Sequence, residues 1–165
     1  MFDKEKTQGK VEAVRTIQNH SRGGTSNYWK TALPDYVMTD GVISVCDAAE
    51  CHWLVDAILS HQTNPKVMAE VMQFWKLEER PHKPIPERDS LPVTRIEGVY
   101  RAFIDGVLKA ETRQGRAILT CTDGDKGSGT VELARQDIEY TDFPRELMPF
   151  QIWISNKVLL LPEEY

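Results

Sequence analysis

Four short apolar segments toward the end of the chain constrain its fold most strongly. They are residues 117–122, 130–140, 150–154 and 158–161, and turn-forming residues such as the glycine-rich run 123–129 separate them. A strand must pair with a neighbour to satisfy its backbone amides, and strands joined by short turns pair in the antiparallel sense. The sequence therefore predicts an antiparallel sheet built mainly from the later part of the chain.

The earlier part of the chain is patterned mainly for helices. Val11, Val14 and Ile17 recur at every third position, which predicts a short peripheral helix over residues 8–20. Residues 71–77 are rich in β-forming side chains and are expected to add one earlier strand to the sheet. Helices thus come mostly first and strands mostly last, which is typical of an α+β fold.

A second helix is expected over residues 47–62. Its apolar side chains cover more than half of a helical wheel, and Asp47 followed by Glu50 fits a capping arrangement at a helix start. Just before it, Asp40–Gly41 has the composition of a tight turn. The pattern predicts a central, largely buried helix that follows this turn.

Residues 79–113 differ in composition and patterning from the segments on either side. Residues 78–92 contain four prolines and many charges, as expected for an exposed connector. Thr94 and Glu97 fit a second capping box, and apolar residues follow at spacings of three and four up to Leu108. This pattern predicts a well-marked helix after the connector.

The whole chain, residues 1–165, is expected to form one α+β domain. A chain of 165 residues is close to the usual size of a domain and can bury a core without disulfides. The expected architecture is an antiparallel sheet of about five strands with two or three helices packed on one face. The proline-rich connector and helix at 79–113 would be inserted into that domain.

Charge and cysteine content limit the possible partners and the compartment. The formal net charge of −5 argues against direct nucleic-acid binding and against an anionic membrane surface. The three cysteines cannot all pair within the chain, and the first residues lack the apolar core of a signal peptide, so a cytoplasmic protein is expected. Apolar runs also stay well below the roughly 18 residues of a membrane span.

Several polar residues could carry chemistry. His52, Asp56 and Ser60 recur every four positions and would share one face of the predicted helix. A nucleophile and its base rarely reach each other along one straight helix face, so a solvated face is the favoured interpretation. The alternative is a small hydrolase or nucleotide-binding enzyme, without a cofactor, that uses a carboxylate and histidine set: Asp40, His52, Asp56, His61 and Asp142.

Two further groups resemble metal sites only superficially. Cys46, Cys51 and His52 lie close in sequence, but their spacing matches no familiar zinc motif, and buried cysteines that act as small apolar residues are favoured. Asp123 and Asp125 begin a glycine-rich loop that lacks the ligand and glycine positions of a calcium loop. No metal is therefore expected.

Aromatic residues provide the candidate partner-binding set. Trp153 alternates out of phase with the apolar residues around it, so it is expected on the opposite face of its strand. Tyr100 and Phe103 lie in the helix predicted for the insertion. If both faces of the late hairpin are apolar, one is a contact surface for a protein partner or a second copy of the chain.

Many short segments of the chain form a recognisable set. Its most distinctive members are the Tyr-Thr-Asp-Phe-Pro run and the Leu-Pro-x-Glu-Tyr end of the sequence. The full set is Gly24–Thr25, Tyr28–Trp29, Tyr36, Thr39–Val42, Trp53–Leu54, Asp56–Ile58, Gln62, Trp75–Leu77, Ala117–Cys121, Asp123–Gly124, Ile138–Pro144, Val158–Pro162 and Glu164–Tyr165. In these segments the chain resembles one uncharacterised bacterial family, domain of unknown function six-eight-seven-six.

The resemblance implies a fold but no activity. Such proteins are similar to small accessory products of plasmids and phages, which implies that they modulate a host or defence machine. Residues 79–113 look like an addition to the family's usual length. The predicted function is therefore protein–protein binding by a small soluble accessory protein, and mimicry of nucleic acid by an acidic surface is the least favoured version.

Overall fold

The structure is a computed structural model that describes residues 4–80, 93–96, 99–104, 107–113, 116–124 and 130–165. Within residues 93–113 it describes the backbone and the strand pairing. The helices are α1 Lys4–His20, α2 Asp40–Ala49, α3 His52–Ser60 and α4 Pro65–Met68. The strands are β1 Tyr28–Lys30, β2 Val37–Thr39, β3 Met72–Glu79, β4 Val93–Ile96, β5 Val99–Ile104, β6 Val107–Arg113, β7 Ala117–Thr122, β8 Glu132–Ile138, β9 Phe150–Ser155 and β10 Val158–Leu160.

Seven of the strands form one sheet in the order β1-β2-β10-β9-β3-β7-β8. Its pairs are antiparallel except for β10 and β2, which are parallel. The α+β class and the late strands are thus confirmed. The sheet is larger than the predicted five strands because the short strands β1 and β2 join its edge, and four helices accompany it among the described residues.

One core joins the helices to one face of the sheet. Alternate side chains of β3 and β9 are buried in it, among them Trp75 and Ile152. Val14 of α1, Val42 of α2 and Ile58 of α3 belong to the same cluster. Because successive strand residues point to opposite faces, the residues between the buried ones, such as Trp153, lie on the other face.

The helix predicted after Thr94 is wrong. Residues in this part form β4, β5 and β6, a separate three-stranded antiparallel sheet. The backbone amide of Arg80 donates to the carbonyl of Arg116. The chain therefore leaves the seven-stranded sheet after β3 and returns to it beside the same point, at the start of β7. In the sequence, Asp105–Gly106 lies between β5 and β6 and is a dipeptide typical of hairpins. Because the residues around it are β-forming, this turn signal was better evidence for strands than the spacings of three and four were for a helix.

Two predictions around the central helix also need correction. Asp40–Gly41 is not a turn, because Asp40 is the first residue of α2 and Thr39 caps it. The single helix over 47–62 is wrong in its extent: α2 ends at Ala49, Glu50 takes a left-handed conformation with φ 54°, and α3 begins at His52. The proline-rich part at 81–92 lies outside the described residues.

Candidate functional site

A carboxylate from the end of the sequence caps the start of α2. Glu164 Oε1 accepts from the backbone amide of Gly41 at 3.1 Å, and Oε2 accepts from the hydroxyl of Thr39 at 2.5 Å and from the amide of Leu161 at 2.8 Å. The first amides of a helix have no partner within it and favour a negative charge. The contact therefore ties the last turn of the chain to the helix layer.

Asp40 occupies a second carboxylate position beside this cap. Its Oδ1 accepts from the indole N–H of Trp29 at 2.8 Å, and its Oδ2 accepts from the amide of Asn27 at 3.1 Å. These bonds, that of Trp29 most of all, lower the pKa of the Asp40 carboxyl below its ordinary value. Asp40 is an ionised structural acceptor that holds the loop before β1, not a free general base.

The face of the sheet away from the helices carries a cluster that we call the aromatic face: Phe74, Trp153, Leu160 and Tyr165. Pairing of β10 with β9 and of β9 with β3 puts Leu160, Trp153 and Phe74 side by side. The ring of Trp153 lies edge-on to Phe74 at 5.0 Å and to Tyr165 at 5.7 Å between centroids. The predicted position of Trp153 is confirmed.

The aromatic face is only partly covered among the described residues. Tyr165 is 78% exposed, and Trp153 and Phe74 are half-buried. The indole N–H of Trp153 donates to Gln151 Oε1 at 2.8 Å. Tyr100 and Phe103, the other predicted partner-binding residues, lie on β5, and their side chains are outside the described part of the structure. Sequence reasoning missed Tyr165 because nothing local indicates that it folds back onto Trp153.

The histidines and carboxylates proposed for catalysis have different structural partners. His52 Nε2 and Asp47 Oδ1 lie 2.7 Å apart on the surface, and Asp56 is exposed on α3. His61 packs on the ring of Trp75 and lies 2.8 Å from Gln136 Oε1, and Asp142 is 3.5 Å from Lys10 Nζ. Ser60 donates to the carbonyl of Ala57. Among the described residues, no hydrogen bond or ion pair joins two of the proposed catalytic groups.

The three cysteines are free and buried. A hydrogen bond with the Cys46 thiol and burial both raise the pKa of Cys51, and burial raises the pKa of Cys121 to about 12. Within the described residues no three histidine, cysteine, aspartate or glutamate side chains come together as a metal site. Asp123 accepts from the amide of Val131, and residues 125–129 of the glycine-rich loop fall outside the described residues.

A surface groove of about 430 Å³ also opens on the face away from the helices. Glu78, Ile118, Thr120, Arg135 and Met148 are among the residues that line it. Its charged side chains already have partners, since Glu78 binds Lys76 at 2.8 Å and Arg135 binds Glu132 at 2.8 Å. The groove therefore offers a ligand little unpaired charge.

A buried lysine connects three parts of the fold. Lys10 of α1 is only 9% exposed and contacts Glu50 at 2.8 Å, in the break between α2 and α3, and Asp142 at 3.5 Å. Burial opposes the charge of Lys10, but the two carboxylates outweigh it and raise the pKa of Lys10. The same contact, with help from Lys6, lowers the pKa of Glu50. Ion pairing thus stabilises the charged forms of both partners.

We expect the Glu50→Gln variant to be less stable than the wild-type protein near neutral pH. A carboxyl whose pKa is lowered by folding contributes stability above its ordinary pKa of 4.5, and this contribution is lost as the pH falls through the lower folded value. The difference in unfolding free energy between wild type and variant should therefore shrink in acid. Urea titrations at several pH values measure it, and a difference that grows toward low pH would contradict the role of Glu50.

The comparisons with known proteins place the chain in a family. Residues 16–91 and 93–165 match the model of a family of unknown function, DUF6876, and the chain belongs to that family. The resemblance inferred from the sequence is thus confirmed, whereas an addition at 79–113 to the family's usual length stays a prediction. No curated protein and no solved structure matches the chain. No helix in the described part of the chain is long and apolar enough to cross a membrane.

Proposed function

We propose that this chain is a small, non-catalytic accessory protein that acts by binding another protein through the aromatic face. The observation that carries the proposal is the group of three aromatic rings, those of Trp153, Phe74 and Tyr165, on the face that lies away from the helix core. Tryptophan and tyrosine supply a large apolar contact area at a small entropic cost, and they dominate the binding energy of many interfaces.

The surroundings of the aromatic face also fit a protein interface. Lys76, Glu78 and Gln151 lie on the same face of β3 and β9 and are half-buried. An apolar centre with a polar border is the usual arrangement, since the border excludes water from the contacts that provide most of the affinity. If the partner is a component of a host or defence machine, binding through the aromatic face would modulate that machine.

The alternative of a small hydrolase or nucleotide-binding enzyme has weaker support. Its candidate residues are bound separately, His52 by Asp47, Asp142 by Lys10, and Asp40 by Trp29. General acid–base chemistry needs groups within hydrogen-bond reach of one reacting atom. The geometry of the described residues favours the binding proposal over this one.

Partner capture from the native cell with a pair of matched variants tests the proposal. Trp153→Lys puts a charge at the centre of the aromatic face, and we expect it to weaken binding of the captured partner at least about tenfold. Asp56→Lys is the control, because it also adds a lysine but at an exposed position of α3 in the helix layer. Circular dichroism checks that both variants fold.

The two variants together distinguish binding through the aromatic face from binding through α3. Loss of the partner with Trp153→Lys and its retention with Asp56→Lys would support binding through the aromatic face. Equal binding by wild type and Trp153→Lys would refute it. Loss with Asp56→Lys alone would instead direct attention to α3 and to the enzyme alternative.

A further inference from the structure

Among the described residues, no strand pairs with the outer edge of β8. β8 ends the seven-stranded sheet, and β7 is the only strand beside it in the described structure, because β4–β6 form a sheet of their own. A strand at the edge of a sheet presents a row of backbone donors and acceptors that can pair with another chain. Strand β8 therefore provides a template for one more strand.

A bulge determines which part of this edge is regular. Cys121 pairs with Ala134 but Thr122 pairs with Glu132, so Leu133 is an extra residue in β8. A bulge disrupts the ladder and bends the strand locally. The regular part of the edge is therefore Ala134–Ile138, and its middle residue is Gln136.

The charges of this segment are complementary to themselves. Arg135 and Asp137 flank Gln136 on the same face of the strand, and their side chains are 56% and 51% exposed. In an antiparallel pair of two copies centred on Gln136, Arg135 of each copy lies opposite Asp137 of the other. Opposite charges in directly facing positions stabilise strand pairs. The same alignment places Ala134 opposite Ile138.

Apolar side chains extend this surface at both ends. Val131 and Tyr140, which lie just before and just after β8, are 55% and 58% exposed. Met68 is also exposed, in α4, which contacts β8. The monomer pairs Arg135 with Glu132 and Asp137 with Arg80. Arg80 is half-buried and the other three side chains are exposed, so water screens both pairs and their exchange for contacts across the dimer has a small cost.

We propose that two copies of this chain associate through their β8 edges, antiparallel and centred on Gln136, into one continuous sheet. This surface is separate from the aromatic face, so the dimer presents two aromatic faces on one side of the extended sheet. Strand pairing over five residues with a few apolar side chains makes a small interface, and we expect a dissociation constant on the order of micromolar.

Sedimentation velocity from low micromolar to near-millimolar concentration tests the dimer and its register together. We expect wild-type protein to show a concentration-dependent dimer. Arg135→Asp places two acidic residues opposite each other at both symmetric positions, and it should weaken the dimer at least about tenfold. The swap variant Arg135→Asp with Asp137→Arg restores opposite charges in this register alone, and it should restore the wild-type dissociation constant to within a few-fold.

A charge change at the other edge of the sheet, Lys30→Asp on β1, is the matched control and should leave the dimer unchanged. A wild-type monomer throughout the concentration range would overturn the proposal. So would a dimer that tolerates Arg135→Asp, or one that the swap does not restore while circular dichroism shows a folded variant. These results are independent of partner capture by the aromatic face, so either proposal can fail without the other.

Discussion

Replacing Gly41 by alanine is expected to destabilise the protein by about 1–3 kcal/mol, although the same change in most helices is stabilising. A Cβ at this position would lie 2.6 Å from Glu164 Oε1 and 2.7 Å from Cδ. The flexible Glu164 side chain would have to leave, and the hydroxyl of Thr39 and the amide of Gly41 would lose a charged acceptor. Each hydrogen bond to a charged group contributes about 1.5–3 kcal/mol, more than the roughly 1 kcal/mol gained from helix propensity.

The sign of the Gly41→Ala effect should reverse when Glu164 is absent. In a Glu164→Ala background the added methyl group has no carboxylate to displace, so only the gain in helix propensity remains, up to about 1 kcal/mol. Urea unfolding of wild type, both single variants and the double variant gives the coupling energy directly. An equal cost of Gly41→Ala in both backgrounds would show that Glu164 is not the reason for the glycine.

Gly9 provides a control for this cycle within the same protein. It is exposed in α1, and a Cβ added there would meet nothing within 4 Å. Gly9→Ala is therefore expected to stabilise the protein by about 0.5–1 kcal/mol. The contrast between the two glycines isolates the contact with Glu164 from the general preference of helices for alanine.

Replacing Gln73 by methionine is expected to have a larger effect, a loss of about 3–4 kcal/mol. Gln73 exchanges two hydrogen bonds with Gln62, at 2.9 and 3.0 Å, and its Oε1 also accepts from the indole N–H of Trp75 at 3.0 Å. Gln62 and Trp75 are 4% and 1% exposed, so water cannot replace the lost partner. Methionine keeps the volume but leaves the indole N–H of Trp75 buried without a bond, and Gln62 keeps only its bonds with Ile58 and Tyr36.

The matched control for this prediction lies on the opposite face of the sheet. Trp153 donates to Gln151 at 2.8 Å with the same two-residue spacing, but both side chains are half-buried. Gln151→Met should cost less than about 1 kcal/mol, because water can solvate the freed indole. Unfolding free energies from urea titration compare the two variants. Similar losses would mean that the buried bonds of Gln73 contribute no more than the half-buried bond between Trp153 and Gln151.

The position of the aromatic face could be predicted only in part. The out-of-phase position of Trp153 in its strand correctly indicated the face of the sheet, because alternation in a strand is a local property. Phe74 and Tyr165 could not be assigned to the same surface, since pairing of β3 with β9 and the return of the last turn decide their contacts. Of the catalytic candidates, only His52, Asp56 and Ser60 shared a pattern in sequence, and in space His52 pairs with Asp47 and Ser60 with the carbonyl of Ala57.

The sequence by itself determined the local elements: strands such as Ala117–Thr122 and the helix around Val11 and Val14 follow from the alternation and spacing of neighbouring residues. Only the tertiary structure decided that Asp40–Gly41 starts a helix, since the carboxylate of Glu164 that caps it comes from 123 residues further along the chain. Local spacing also misled at residues 94–108, where strand pairing satisfies the backbone instead. The contact of Glu164 is long-range, so no short window of sequence contains both partners, whereas the pairs in residues 93–113 join neighbouring strands.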